Sequence, residues 1–113
     1  MGLQYSVAMC TYYGAKYIAE QINSILAQTV LPSEIIISDD GSTDDTLAIA
    51  DLILSQSSIP YQIVTDNFNH GVVGNFWHAF SLCHSEIIFS CDQDDIWMPN
   101  KAETMLSLFS KHS

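Results

Sequence analysis

The chain has 113 residues, of which 48% are hydrophobic, and it carries 3 Lys and Arg against 13 Asp and Glu, so its formal net charge is −10. A chain of this length and composition can build one modest core, which predicts a single domain over residues 1–113 and excludes intrinsic disorder. The charge argues against direct binding to nucleic acid or to an anionic membrane surface, because the sequence contains no arginine and no basic patch.

The cysteines and the hydropathy of the chain indicate the cellular compartment of the protein. Cys10, Cys83 and Cys91 lie in apolar runs without the spacing of a disulfide framework or a metal motif, which is typical of reduced core residues. No stretch approaches the roughly 18 uncharged apolar residues that a membrane span needs. The sequence therefore predicts a soluble, cytoplasmic protein.

The first half of the chain alternates strand and helix patterns. An apolar run at residues 5–11 predicts a strand, and isoleucines at helical spacing predict a helix from about residue 15 to residue 28. A β-branched run at 34–38 predicts a strand that is buried on both faces. Ser42 and Asp45 have the spacing of a capping box, which predicts a second helix over 43–55.

The second half repeats the alternation, with strands predicted at 61–65 and 86–91. Between them a third helix is expected to turn one apolar face to the core through Val73, Phe76, Trp77 and Phe80. Asn100 and Glu103 have the spacing of a second capping box, in front of a last helix. The apolar positions of that helix are Ala102, Met105, Leu106 and Phe109.

The order β-α-β-α-β-α-β-α predicts a Rossmann-like α/β fold, with a mostly parallel sheet and helices on both faces. The carboxyl ends of parallel strands share one edge of the sheet, where ligands of such folds bind. We therefore expect Thr11, which ends the first strand, to lie at the same edge as the acidic residues that follow the second and fourth strands.

Five of the nine aspartates belong to this expected edge, namely Asp39, Asp40, Asp92, Asp94 and Asp95. Carboxylates this close raise one another's pKa unless an opposite charge lies nearby, and Lys16 and Lys101 are the only plausible side-chain counter-ions. Oxygen ligands favour a hard cation, so we expect Mg²⁺ or Mn²⁺ bound together with a diphosphate ligand. Turn and helix-cap chemistry is the alternative interpretation of residues 39–42.

Four segments carry a family resemblance. Residues 10–14 (CTYYG), 21–29 (QINSILAQT) and 36–46 (IISDDGSTDDT) resemble the opening of a family 2 inverting glycosyltransferase with the GT-A fold, and residues 92–99 (DQDDIWMP) resemble the Asp-x-Asp segment of that family. The similarity covers the chain from about residue 5 to residue 109. It implies that the chain is the nucleotide-binding half of a GT-A fold.

The resemblance implies roles for the residues at the ends of the first two strands. Thr11 and Tyr13 would contact the donor nucleotide. Asp40, with Asp39 beside it, would hydrogen-bond the base. Gly14 stands where the family commonly has Asn after the tyrosine, a change that suits a turn.

The resemblance also implies roles for the acidic segment after the fourth strand. Asp94 would be the principal protein ligand of the metal. Asp92 would lie by the ribose and the metal-bound diphosphate and share in metal binding. Asp95 would neighbour the donor sugar or support the metal ligands. The metal would stabilise the leaving nucleoside diphosphate as a Lewis acid.

The activity implied is metal-dependent transfer of a sugar, with inversion, from a nucleotide-diphosphate sugar to a glycan or lipid-linked acceptor in bacterial cell-surface polysaccharide synthesis. The DQDDIW form resembles the branch that contains bacterial rhamnosyltransferases, so dTDP-rhamnose is the leading donor, followed by UDP-sugars. The full-length protein is then expected in the cytoplasm, at the inner face of the membrane.

Family members are considerably longer than this chain, and their second half supplies the acceptor site and the general base. We therefore expect the general base to lie beyond Ser113 and the chain to transfer no sugar by itself. Loss of a second half would expose apolar surface and favour self-association, and the residues expected on that surface are Met98, Met105, Leu108 and Phe109.

Two other classes of acidic phosphate-binding domain fit the sequence less well. A response-regulator receiver domain or a haloacid-dehalogenase-type phosphatase needs its acidic residues after the first strand, where this chain has Thr11, Tyr12 and Tyr13. A non-catalytic module that binds a nucleotide sugar without transferring it fits the same motifs. That alternative stays open, because the difference depends on residues outside the chain.

Overall fold

A parallel sheet forms the centre of the fold in the computed structural model, which describes residues 3–65, 71–91 and 96–112. Within these residues the strands are β1 (Tyr5–Thr11), β2 (Glu34–Asp39), β3 (Tyr61–Thr65) and β4 (Ile87–Cys91). They alternate with the helices α1 (Ile18–Leu26), α2 (Thr46–Ser55), α3 (Gly71–Leu82) and α4 (Lys101–His112). All pairings are parallel, in the order β3-β2-β1-β4, so the predicted α/β fold is confirmed.

The two central strands are buried on both faces, as their continuous apolar runs predict. Successive side chains of a strand point to opposite faces of the sheet, so each strand contributes side chains to two hydrophobic cores. Val7 and Ile35 belong to a large core with apolar residues of α1, α2 and α4. Ala8 and Ile36 face the other way and pack against Ala79 of α3. Helices therefore cover both faces of the sheet.

The strand register determines which residues share the ligand edge. Thr11 pairs with Asp39 across β1 and β2, and Met9 pairs with Cys91 across β1 and β4. Because the strands are parallel, the chain leaves β1, β2 and β4 at the same edge of the sheet. The residues that follow these strands in the sequence therefore start from neighbouring positions.

At the opposite edge, a buried carboxylate fastens the α3–β4 connection to the sheet. Glu34 is 8% exposed and accepts hydrogen bonds from the Ser6 hydroxyl and from the backbone N–H of His84, whose Nδ1 lies 2.8 Å from Glu34 Oε1. Burial raises the pKa of the Glu34 carboxyl, but the hydrogen bonds from Ser6 and His84 outweigh it and hold the pKa below its ordinary value.

The start of α2 differs from the prediction. The helix begins at Thr46, not at residue 43, and the proposed capping box of Ser42 and Asp45 does not form. The Ser42 hydroxyl instead donates a hydrogen bond to Asp39. A buried carboxylate without hydrogen-bond donors costs more free energy than a helix start without a side-chain cap. At the start of the helix, the Asp44 carboxylate accepts a hydrogen bond from the backbone N–H of Thr46 at 3.2 Å, in place of the predicted Ser42 cap. The pKa of Asp44 is lowered, chiefly by the hydrogen bond from the Thr46 hydroxyl.

The last two helices also depart from expectation. Trp77, predicted in the core, is 68% exposed, and α3 contacts the sheet through Ala79 and through Asn75, whose side-chain amide donates to the Ser38 carbonyl at 2.9 Å. At the start of α4, the Gln28 side chain from the end of α1 accepts from the backbone N–H of Ala102 at 2.9 Å. The expected partner Glu103 is engaged elsewhere, by the hydroxyl of Thr29.

Cys10, Cys83 and Cys91 are not joined in disulfide bonds in the described structure. Cys10 and Cys91 are buried, and Cys83 is half-buried beside the edge that holds Glu34. Burial raises the pKa of the Cys83 thiol to about 11, and the negative charge of Glu34 adds to the shift. In the part of the chain that the structure describes, no helix has both the length and the apolar character to cross a membrane.

Candidate functional site

The loop after β2 is built around the carboxylate of Asp39, which is fully buried. Thr11 Oγ1 donates to Asp39 Oδ1 at 2.6 Å, and the Ser42 hydroxyl donates to the same oxygen at 2.7 Å. The other oxygen accepts from the backbone N–H groups of Gly41 and Ser42 at 3.0 and 2.7 Å. Gly41 has a φ of 92°, a left-handed conformation that favours glycine and lets the loop turn this tightly.

The same loop holds the chain that follows β1. The backbone N–H of Tyr13 donates to Ser42 Oγ at 2.7 Å, and the Tyr13 hydroxyl lies 3.0 Å from Thr43 Oγ1. The N–H of Gly14 donates to Thr46 Oγ1 at 2.9 Å. Tyr13 has a φ of 53°, which is uncommon for a residue with a side chain and needs support from its surroundings. These hydrogen bonds join the two loops into one unit.

Two exposed aromatic side chains lie on this unit. Tyr12 and Tyr13 are 51% and 45% exposed, and their rings meet edge to face with centroids 4.6 Å apart. Exposed aromatic faces at a ligand edge can stack on a planar ligand such as a nucleobase. The sequence motif predicts a nucleotide contact for Tyr13 and not for Tyr12. The signal that could have found Tyr12 is two adjacent tyrosines directly after a buried strand.

Asp40 is half-buried at the same edge, and its backbone N–H donates to the Thr11 carbonyl at 3.0 Å. The predicted nucleotide contacts therefore divide into two groups. Tyr13 and Asp40 present accessible side chains, whereas the side chains of Thr11 and Asp39 bind each other and the loop. The roles of all four toward a nucleotide stay predictions, and the geometry gives Thr11 and Asp39 a clear part in holding the loop.

The predicted metal ligands Asp92 and Asp94, and their neighbour Asp95, lie outside the described residues. Of the two expected counter-ions, Lys16 lies with its Nζ 5.3 Å from the Tyr17 ring centroid and Lys101 with its Nζ 4.6 Å from that of Trp97. Within the described ranges, no three His, Cys, Asp or Glu side chains converge as a metal site would require.

Known proteins resemble this chain in sequence. Residues 6–113 match the model of the family described as Glycosyl transferase family 2. The chain is 37% identical to the dTDP-rhamnosyl transferase RfbG of Shigella flexneri, over 87% of this chain and 35% of that protein. It is 30% identical to the UDP-Glc:alpha-D-GlcNAc-diphosphoundecaprenol beta-1,3-glucosyltransferase WfgD of Escherichia coli, over 96% of this chain and 42% of that protein.

Solved structures extend the comparison to the fold. TarS 1-349 of S. aureus in complex with UDP-GlcNAc has a TM-score of 0.85 at 25% identity, with 97% of this chain and 32% of that chain covered. Glucosyl-3-phosphoglycerate synthase of Mycobacterium tuberculosis in complex with Mn²⁺, UDP and phosphoglyceric acid has a TM-score of 0.65 at 26% identity, with 82% and 34% covered. The chain spans no more than 42% of the length of any of these four proteins.

Proposed function

Because the chain belongs to glycosyl transferase family 2, we propose that it is the donor-binding part of an enzyme that transfers a sugar, with inversion, from a nucleotide-diphosphate sugar. The proposed donor is dTDP-rhamnose or a UDP-sugar, and the proposed acceptor is a glycan or lipid-linked glycan of the bacterial cell surface. The named activities of RfbG and WfgD support both choices of donor.

One observation carries this proposal. The loops after β1 and β2 are joined through Ser42, and they present Tyr13 and Asp40 at the sheet edge where β4 also ends. In open α/β sheets this edge is the position at which ligands bind. In the proposal, Tyr12 and Tyr13 flank the nucleotide and Asp40 accepts a hydrogen bond from the base.

A divalent cation fits the residues of the chain. Asp92, Asp94 and Asp95, which follow β4 in the sequence, are hard oxygen donors, and Mn²⁺ and Mg²⁺ prefer such donors together with substrate phosphates. We propose that Asp94 and Asp92 hold the ion. When bound, it would supply Lewis-acid stabilisation of the charge on the leaving diphosphate. Mn²⁺ in the complex of the mycobacterial synthase supports this part of the proposal.

The rest of the reaction belongs to the whole protein. We propose that the general base and the acceptor site lie outside these 113 residues, so that the chain alone binds donor weakly and gives no turnover. Cysteines that form no disulfide bond in the described structure are typical of a reducing compartment, which supports a cytoplasmic location; in the full-length protein this would be the inner face of the membrane.

The test uses nuclear magnetic resonance, because chemical shifts detect binding even at millimolar affinity. UDP and dTDP are titrated into the ¹⁵N-labelled chain with and without Mg²⁺, and we expect shifts at the amides of Tyr13, Gly14 and Gly41. Asp40→Asn should weaken binding about tenfold, the value of one hydrogen bond to a charged group. Asp51→Asn makes the same change on exposed α2 and should bind as the unaltered chain does.

Two outcomes would refute the proposal. The first is the absence of any shift at this edge with millimolar nucleotide, whether Mg²⁺ is present or not. The second is equal affinity of Asp40→Asn and Asp51→Asn. Measurable sugar transfer by the 113-residue chain would refute the part that assigns the general base to residues outside it.

A second copy of the chain is the partner that we propose for the apolar surface beside α4. Met98, Met105, Leu108 and Phe109 are between 40% and 71% exposed. β4 pairs with β1 on one side, and no other described strand covers its second edge. An uncovered strand edge beside exposed apolar side chains favours pairing with the same edge of another molecule.

Sedimentation velocity over a range of concentrations tests this association. We expect a concentration-dependent dimer that Phe109→Asp shifts toward monomer. Leu52→Asp is the matched control, because Leu52 is 61% exposed on α2 and lies outside this surface. A chain that is monomeric at every concentration would contradict the proposal.

A further inference from the structure

Helix α1 and the turn that follows it place three polar side chains against the second half of the chain. Gln21 and Ser24 lie three residues apart on one side of α1. Gln28 lies two residues beyond the end of the helix, where its Nε2 donates to the Ser24 carbonyl at 3.1 Å. Gln21 and Gln28 are only 1% and 5% exposed. Buried amides are costly unless they are hydrogen-bonded, so their partners indicate why these positions are polar.

The first partner is the residue that ends β4. Gln21 Nε2 lies 3.3 Å from Cys91 Sγ and donates to it, although the two residues are 70 positions apart. Cys91 is fully buried and directly precedes the acidic segment 92–95. The upstream end of that segment is thus attached to α1.

The other partners lie just downstream of the same segment. The backbone N–H of Trp97 donates to Ser24 Oγ at 3.0 Å. Gln28 Nε2 donates to the Met98 carbonyl at 2.6 Å, and Gln28 Oε1 accepts from the N–H of Ala102 at 2.9 Å. The Trp97 ring, 4% exposed, belongs to the same core as α1. Trp97, Met98 and Ala102 are thus attached to α1 and to the turn that follows it, through backbone atoms and packing.

We propose that Gln21, Ser24 and Gln28 are positioning residues for the acidic segment: by holding Cys91 on one side and Trp97 and Met98 on the other, they fix both ends of the four residues that would bind the metal. Fixed ends reduce the conformational freedom that a metal ligand set must lose on binding. The inference rests on the proposed function, because that function makes 92–95 the metal-binding segment.

The experiment compares substitutions at Ser24 with a matched serine. Ser24 donates to the Gln21 carbonyl three residues earlier and also accepts from the Trp97 N–H. Ser55 of α2 makes the same kind of bond, to the Leu52 carbonyl, and is exposed. The variants are Ser24→Ala, Ser24→Thr and Ser55→Ala. Two quantities are measured for each: the gain in UDP affinity caused by Mn²⁺, and hydrogen exchange of the peptide spanning 91–98.

We expect Ser24→Ala to reduce the Mn²⁺-dependent gain about three- to tenfold, toward the range seen for groups that support metal ligands. UDP affinity without metal should change less than twofold. Exchange over 91–98 should become faster, and Ser24→Thr should restore both quantities because it keeps the hydroxyl. Ser55→Ala should leave both unchanged. A general loss of stability would instead lower UDP affinity with and without metal together.

The proposal is overturned if Ser24→Ala leaves the exchange of 91–98 unchanged, or if it speeds that exchange without reducing the Mn²⁺-dependent gain. A different result marks failure of the proposed function: the unaltered chain then shows no Mn²⁺-dependent gain at all. In that case faster exchange in Ser24→Ala still supports the attachment of the segment to α1, and unchanged exchange still refutes it.

Discussion

The ladder between β1 and β2 carries a hydroxyl and a carboxylate at each of its two ends. At the amino end Ser6 pairs with Glu34, and at the carboxyl end Thr11 pairs with Asp39. In both pairs the hydroxyl of β1 donates to the carboxylate of β2. Both carboxylates are buried, so both ends hold a charge that requires hydrogen-bond donors.

The two ends differ in where the remaining donors come from. Glu34 takes them from His84, which lies in a distant connection between α3 and β4. Asp39 takes them from Gly41 and Ser42, two and three residues along its own chain. The same pair of groups therefore ties distant segments together at one end and shapes a local loop at the other. The shaped loop is the one that carries the candidate nucleotide site.

The largest expected effect is that of Asp39→Asn. The amide cannot accept from every donor that now surrounds the carboxylate, so we expect a loss of about 3 kcal/mol in the free energy of unfolding. Loss of nucleotide binding should accompany it, because the loop that carries Asp40 is built on Asp39. Urea denaturation and the nucleotide titration measure the two effects. Asp51→Asn, on the exposed side of α2, is the control for the change in charge, and equal stability of the two variants would contradict the role given to Asp39.

Glu34→Gln should come next, with a loss of about 2 kcal/mol, because fewer charged hydrogen bonds depend on this side chain. Nucleotide binding should be unchanged, since the substitution is at the opposite edge of the sheet. Glu86→Gln removes the same charge from an exposed position and should change stability by less than about 0.5 kcal/mol. If Glu34→Gln weakened nucleotide binding, the contrast between the two edges would be lost.

The pH dependence of stability sharpens the same contrast. The pKa of Glu34 is lowered in the folded chain from an ordinary value of 4.5. Its contribution is therefore present above about pH 4.5 and is lost as the pH falls through the lower folded value. We expect the free energy of unfolding to fall as the pH drops below about 4.5 and to fall less steeply in Glu34→Gln. Parallel curves for the two proteins would show that this carboxylate makes no contribution.

The smallest expected effect on stability is that of Ser42→Ala, about 1 kcal/mol, the usual net value of a hydrogen bond. The substitution should affect nucleotide binding more than this small loss of stability suggests, because Ser42 Oγ joins Asp39 to the backbone of Tyr13. We expect weaker nucleotide binding and altered amide shifts at Tyr13 and Gly14. Ser55→Ala removes an exposed hydroxyl of α2 and should alter neither. Unaltered shifts in Ser42→Ala would mean that the two loops are positioned independently.

Much of the fold could be predicted because its signals are local. The bounds of β1 and β3 agree with the predicted runs, and β2 extends one residue further, to Asp39. The helix starts were less predictable. Ser42 has the sequence spacing of a helix cap, yet its hydroxyl donates to the buried carboxylate of Asp39 and does not cap α2. Trp77 fits the apolar period of α3, but that helix turns Ala79 to the sheet and leaves Trp77 68% exposed.

In the candidate site, too, some residues could be predicted from local sequence and others only from tertiary contacts. Tyr13 and Asp40 could be selected because they follow buried strands and match a family motif. Tyr12 was missed, since nothing in the sequence distinguishes an exposed tyrosine from a buried one. The part of α1 in holding Cys91 and Trp97 could not be foreseen, because hydrogen bonds between residues about 70 positions apart leave no local pattern.

The sequence by itself determined the alternation of strands and helices, the parallel sheet and the edge at which β1, β2 and β4 end, because periodicity and strand direction are properties of neighbouring residues. The tertiary structure alone decided which polar groups pair once they are buried. A buried charge takes its donors from whatever the fold brings within about 3 Å. That selection made Asp39 the centre of a loop and Glu34 a fastening between distant segments.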